Sequence, residues 1–149
     1  MLRVVHGPVN VGNQPWVLSR HERKLGIRSD LVVNYNTWLG YAHDRCLSDL
    51  ADRSRNALAR RAWFGYTAPL RYNVLHYYFG LSFLAWNDLG ERNKRWFRDM
   101  RIARTLGRKV FWTLQGCDGR ISAESAQRNR YTPCHEGHCS AAPSCRSTL

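Results

Sequence analysis

Apolar and polar positions follow one another in blocks along this chain. The run "LRVVHGP" is short and β-branched and stops at Gly7 and Pro8, so it reads as a buried strand. A polar loop, "VNVGNQ", follows. "PWVLSRHERKLG" reads as a helix, with Pro15 at its first position, Asn13 or Gln14 as its cap and Gly26 as its stop. "SDLVVNY" is a second strand. From about Asp44 to Trp63, Leu47, Leu50, Ala51, Ser54, Leu58 and Ala62 recur at helical steps, which predicts a long helix with Cys46 on its apolar side. "YNVLHYYFG" is a third strand, ended by Gly80. "DLGERNKRWFRDMRIARTLGRK" predicts a third helix. Trp96, Met100, Ala103 and Gly107 line one side of it, and Arg92, Arg95, Arg98, Arg101 and Arg104 sweep across another. "KVFWTLQG" is a fourth strand, and after Cys117 the apolar periodicity disappears.

Strands apolar throughout and separated by helices predict a mostly parallel sheet covered on both faces. With right-handed crossovers the expected class is α/β: one Rossmann-like, three-layer domain over residues 1–120. An irregular, Cys- and His-bearing tail over residues 121–149 completes the expected organisation. The length of 149 residues suits one domain, and a composition 44% hydrophobic and 12% aromatic supports a core. No apolar run approaches the ~20 residues that span a bilayer. The N-terminal "MLRVVHGPVNVG" is too short in apolar residues for a signal peptide, so the expected compartment is the cytosol.

Charge changes this picture. The net charge is +12, and arginine supplies 20 of the 23 basic residues. Such an imbalance points to an anionic partner: nucleic acid, an acidic membrane surface or a phosphorylated substrate. A solvated surface of arginines is the plain alternative.

In parallel sheets ligands bind beyond the carboxyl ends of the strands, which selects the loops "HGPVNVGNQ", "NYNTW", "YYFGLS" and "QGCDGR". In the first, Gly7 and Gly12 allow close backbone approach, and the helix that follows offers free N–H groups to a phosphate. An ordinary strand-to-helix turn explains the same glycines. His76 fits a general base or a partner of substrate hydroxyls, or equally a strand histidine satisfied by its surroundings. Asp118 and Arg120 fit a sugar hydroxyl and a phosphate, or a local ion pair. The G-x-G-x-x-G dinucleotide fingerprint, the P-loop and RNP1-like motifs are absent, and no Ser-His-Asp arrangement is legible.

Five cysteines stand at 46, 117, 134, 139 and 145. An odd number in a cytosolic setting favours metal binding or free thiols over a disulfide framework. Cys117, Cys134, Cys139 and Cys145 would suit tetrahedral Zn²⁺, with His138 or His135 able to replace one sulfur. Iron–sulfur ligation uses the same residue type, and packed or free thiols remain alternatives.

The segment "HGPVNVGNQPWVLSRHERKLGIRSDLVV" resembles the amino-terminal region of bacterial GT-B glycosyltransferases. "YNVLHYYFG" and "KVFWTLQGCDGR" resemble that region's third and fourth strands. The resemblance covers Arg3 to about Arg120 and rests on several segments in order. It implies an enzyme that moves a sugar from a nucleotide-activated donor to an acceptor held by this domain, the active site lying between two Rossmann-like domains. It also implies that Gly7, Asn10, Gly12, Asn13, Gln14 and Arg120 meet donor phosphates or substrate, and that His76 and Asp118 face the cleft as catalytic groups. The donor-binding domain has no counterpart in the 149 residues, so the resemblance implies an amino-terminal half, incomplete and inactive alone. Lipid-linked acceptors are common in such enzymes. A place at the inner face of an anionic membrane would then employ Arg92, Arg95, Arg98 and Arg101, at ~1 kcal/mol per basic group. The rival expectation is a basic nucleic-acid-binding or metal-binding module with a Cys-rich tail.

Overall fold

The computed structural model describes residues 1–49, 52, 54–84 and 97–114. Among these residues the fold is α/β, with three helices and one five-stranded sheet in which every paired neighbour is parallel. The strands are β1 (Arg3–Gly7), β2 (Arg28–Val33), β3 (Arg45–Cys46), β4 (Val74–Tyr78) and β5 (Lys109–Thr113). The helices are α1 (Gln14–Lys24), α2 (Arg55–Arg71) and α3 (Arg98–Thr105). Strand order is β3-β2-β1-β4-β5. The register sets Val5 beside Asp30 and Leu75, and His6 beside Leu31 and His76.

Residues alternate between the two faces of a strand, and the packing follows that alternation. Val5, Val32, Leu75 and Tyr77 join Phe64, Ala68 and Tyr72 from the α2 segment, Phe83, and Met100 and Ala103 from α3 in one apolar core. Phe64 and Phe83 meet edge to face with ring centroids 4.9 Å apart. Gly65 lets α2 approach closely, because a Cβ there would lie 2.4 Å from Leu84 Cδ2. The intervening strand residues, His6 and His76 among them, face the other way, toward Glu22 of α1 and Thr113 of β5.

Local signals set the helix ends. Pro15 sits buried in the first turn of α1. Gly26 adopts φ 79° after the last turn, while the N–H groups of Gly26 and Ile27 donate to the carbonyls of Arg23 and Glu22. Gly107 repeats this stop after α3, with φ 68° and the N–H groups of Gly107 and Arg108 donating to Arg104 and Ala103. Gly107 therefore caps the third helix and is not part of its apolar side.

The region read as one helix from Asp44 to Trp63 is built differently. Its first residues form the short edge strand β3, and the helix begins ten residues later at Arg55. Ser54 is the cap, its hydroxyl accepting from Ala57 N–H at 3.1 Å. The helix then continues past Trp63 to Arg71, with Pro69 in its last turn. Cys46 is half-buried on β3, and its thiol donates to the Ser48 carbonyl at 3.1 Å.

Candidate functional site

The order of the strands changes direction between β1 and β4, since β2 and β3 lie on one side of β1 and β4 and β5 on the other. At such a turning point the loops diverge and leave a crevice at the carboxyl ends. The segment 8–13 leaves β1 there. Its first peptide, Gly7-Pro8, is cis. Asn10 is buried, and its amide donates to Ala42 O at 2.9 Å and to Asn13 Oδ1 at 3.2 Å. That ties the loop to the β2–β3 connection. Gly12 and Asn13 both take positive φ, 60° and 58°, and turn the chain into α1. Asn13 holds the cap position without capping through its side chain.

The two glycines of this loop differ in purpose. Gly12 is exposed, and an added Cβ would meet nothing within 4 Å. Gly7 is enclosed: a Cβ would lie 2.2 Å from Val32 O and 2.6 Å from Phe83 Cε1. Packing against β2 and the Phe83 ring therefore requires a glycine at this position. Gln14 is exposed at the start of α1 and, with Gly12, Val17, Leu18 and His21, lines an open groove of about 430 Å³.

His76 lies inside β4 and belongs to a cluster that sequence spacing did not reveal. Its Nε2 is 2.7 Å from Thr113 Oγ1, and its Nδ1 is 3.1 Å from the Tyr78 hydroxyl. That hydroxyl is also 3.1 Å from His6 Nδ1, and His6 Nε2 is 2.8 Å from Glu22 Oε2. The two imidazoles stand with centroids 5.2 Å apart, and the His76 ring stacks on Tyr78 at 4.3 Å. His6 is fully buried, while the Glu22 side chain keeps 19% of its exposure.

Burial decides the charge of this cluster. It lowers the pKa of His6 despite the hydrogen bond to Glu22, which pulls the other way. Burial first, then repulsion from His6, brings His76 down to about 4. Burial and the Glu22 carboxylate keep the Tyr78 hydroxyl protonated well above its ordinary range. Both imidazoles are thus neutral at neutral pH, the state in which one ring nitrogen accepts and the other donates.

Two further buried polar groups hold the carboxyl edge together. Asp99, in the first turn of α3, accepts from Phe83 N–H at 2.9 Å, and burial raises its pKa to about 6. The Arg61 side chain is buried in α2. It donates from Nε to Ser48 Oγ at 2.6 Å and from a guanidinium N–H to Asp49 O at 3.4 Å, below the ring of Tyr35. It therefore braces the chain that follows β3.

His6, Thr113 and Glu22 were missed because sheet register and the packing of α1, and not spacing, bring them to His76; Tyr78, two residues on in the same strand, was overlooked as part of an apolar run. The faint signal was a single histidine in each of two apolar strands, "VVHG" and "VLHYY". Asp118, Arg120, Cys117, Cys134, Cys139, Cys145 and His138 lie outside the described residues. Among the described residues no three His, Cys, Asp or Glu side chains gather to hold a metal ion. No protein-family model, curated protein or solved structure matches the chain.

Proposed function

We propose that this chain is the acceptor-side, amino-terminal domain of a GT-B glycosyltransferase, a Rossmann-like three-layer unit. It would work opposite a second domain that binds the nucleotide-sugar donor. The observation that carries this reading is the turning point of the sheet between β1 and β4, with segment 8–13 leading from it to the N-terminus of α1. A phosphate at that place would meet helix N–H groups and the positive end of the helix dipole. Gly12, Asn13 and Gln14 would line its approach, Asn10 would hold the loop in shape, and His76 is the basic side chain proposed for acid–base work. Asp118 and Arg120 belong to the same proposal through the strand that precedes them in sequence.

The basic helices suit an anionic surface bearing a lipid-linked acceptor. Arg98, Arg101 and Arg104 are all exposed on α3. The helix packed beside it, α2, exposes Trp63 at 65% and Leu70 at 64%. Arginine beside exposed tryptophan and leucine is the pattern of a protein lying on a membrane interface. Among the described residues no helix is long and apolar enough to cross a membrane. The proposed place is the cytosolic side, peripheral to the inner face of the membrane. Zinc enters the proposal only through the four cysteines of residues 117–145.

The test is an assay of the whole polypeptide that carries this domain. Incubated with UDP-, GDP- and dTDP-sugars and anionic vesicles, it is expected to release nucleoside diphosphate from one of them. Replacing Gly12 by Val, which forces a branched residue to positive φ without a clash, is expected to cut that rate about tenfold or more while the fold persists. No release from any nucleotide sugar would sink the reading.

A further inference from the structure

Four hydrogen bonds join Glu22, His6, Tyr78, His76 and Thr113 into one unbranched line across α1, β1, β4 and β5. Each link needs one proton, and the chemistry of the groups fixes where each proton lies. A carboxylate can only accept, so His6 carries its hydrogen on Nε2 and donates to Glu22. The ring is fully buried, which opposes a second proton, so His6 Nδ1 is bare and accepts from the Tyr78 hydroxyl. The Tyr78 oxygen then accepts from His76 Nδ1–H. His76 Nε2 is left bare and accepts from the Thr113 hydroxyl. All four links are satisfied with both rings neutral, and every link points the same way, from β5 toward α1.

The opposite polarity satisfies the same four contacts. A protonated Glu22 donates to His6 Nε2, and His6 Nδ1–H donates to Tyr78. The Tyr78 hydroxyl donates to His76 Nδ1, and His76 Nε2–H donates to Thr113. The two arrangements differ by one proton. A proton taken up at His76 Nε2 pushes His76 Nδ1–H to Tyr78, the Tyr78 proton to His6 Nδ1, and His6 Nε2–H to Glu22. One proton enters, one carboxylate is neutralised, and the line is left fully reversed with no ring charged.

We propose that this line is a proton wire, in which the ionisation of Glu22 sets whether His76 Nε2 accepts or donates a hydrogen bond at the β5 end. A hydroxyl-bearing molecule that reaches Nε2 in place of Thr113 meets a base in one state and an acid in the other. The cluster is open to this on the β5 side: His76 and Thr113 are half-buried, and Phe111, in ring contact with His76, is 56% exposed. The charged groups that bear on the wire are Glu22 and Arg23 from α1 and the two histidines themselves. The proposal does not depend on the transferase reading, because it concerns the protein without substrate.

Long-range ¹H–¹⁵N spectra of the histidine rings in the full chain test it. At pH 7 the expected result is two neutral rings, His6 as the Nε2–H tautomer and His76 as the Nδ1–H tautomer. Glu22→Gln removes the charge that orients the line and is expected to shift the His76 tautomer ratio by about tenfold, one pK unit of coupling. Tyr78→Phe cuts the line, so adding Glu22→Gln to it is expected to leave His76 unmoved. An imidazolium at His6, His76 as Nε2–H in the wild type, or a His76 ratio indifferent to Glu22→Gln would each overturn the wire. If a variant loses its fold, the wild-type pH titration decides. The His6 and His76 tautomers are expected to change together, and independent changes would overturn it.

Discussion

On one face of the sheet Val5, Leu75 and Tyr77 meet Phe64, Ala68 and Phe83. On the other, one residue further along the same strands, His6, His76 and Tyr78 meet Glu22 and Thr113. The first face is held by area removed from water, which tolerates any well-shaped apolar group. The second is held by pairing, where each buried polar atom depends on its neighbour having the right proton. A change on the first face should therefore cost stability in proportion to lost volume. A change on the second should cost less stability but alter the chemistry of groups several bonds away.

The largest expected effect belongs to the apolar face. Phe64→Ala should lower the unfolding free energy by about 3–5 kcal/mol in urea titration while leaving the histidine tautomers unchanged. Gly7→Ala follows, at about 2–3 kcal/mol, because the new Cβ would press on Val32 O and the Phe83 ring. Tyr78→Phe removes the middle of the polar line and strands a nitrogen of each histidine. It should cost about 1–2 kcal/mol, and it should change His6 and His76 together.

The two faces should also answer protons with opposite sign. The histidines have folded pKa values below the ordinary 6.5, His76 reaching about 4. Between those limits the unfolded chain binds more protons, so this face loses stability as pH falls through the window. Asp99, beside the apolar core, is raised from 3.8 to about 6. There the folded chain binds the extra proton, so its contribution is fully present at low pH and is lost as pH rises through about 6. The smallest expected effect is thus a change of slope. Asp99→Asn should steepen the loss of stability between pH 7 and pH 5 by about 1 kcal/mol, measured by denaturation at both pH values. An unchanged slope would remove Asp99 from the balance.

Sequence patterns reached one of these faces and not the other. Branched and aromatic runs located β1, β2, β4 and β5, and glycine and proline located the ends of α1. These signals are local, so a linear reading can find them. The strand β3 is two residues long, too short to carry a period, and the apolar spacing around it imitated a helix. The true start of α2 was marked by Ser54, whose capping role competed with its place in that false stripe. In the candidate site, His76 and the loop from Asn10 to Gln14 were legible as chemistry-bearing types at strand ends. The rest of the cluster was not, because the sheet register sets His6 and Thr113 beside His76 and the packing of α1 on β1 brings Glu22 to His6.

The neutrality of the histidine face is the claim on which the wire rests, and one measurement addresses it most directly. The wild-type unfolding free energy is compared at pH 7 and pH 5.5. Two histidines that must take up protons on unfolding outweigh one Asp99 that gives its proton up. The expected result is lower stability at pH 5.5, by on the order of 1 kcal/mol once the partial exposure of His76 is discounted. Equal or greater stability at pH 5.5, in the wild type and in Asp99→Asn alike, would mean that the folded protein already carries the histidine protons, and that the line between Glu22 and Thr113 is an ion pair and not a wire.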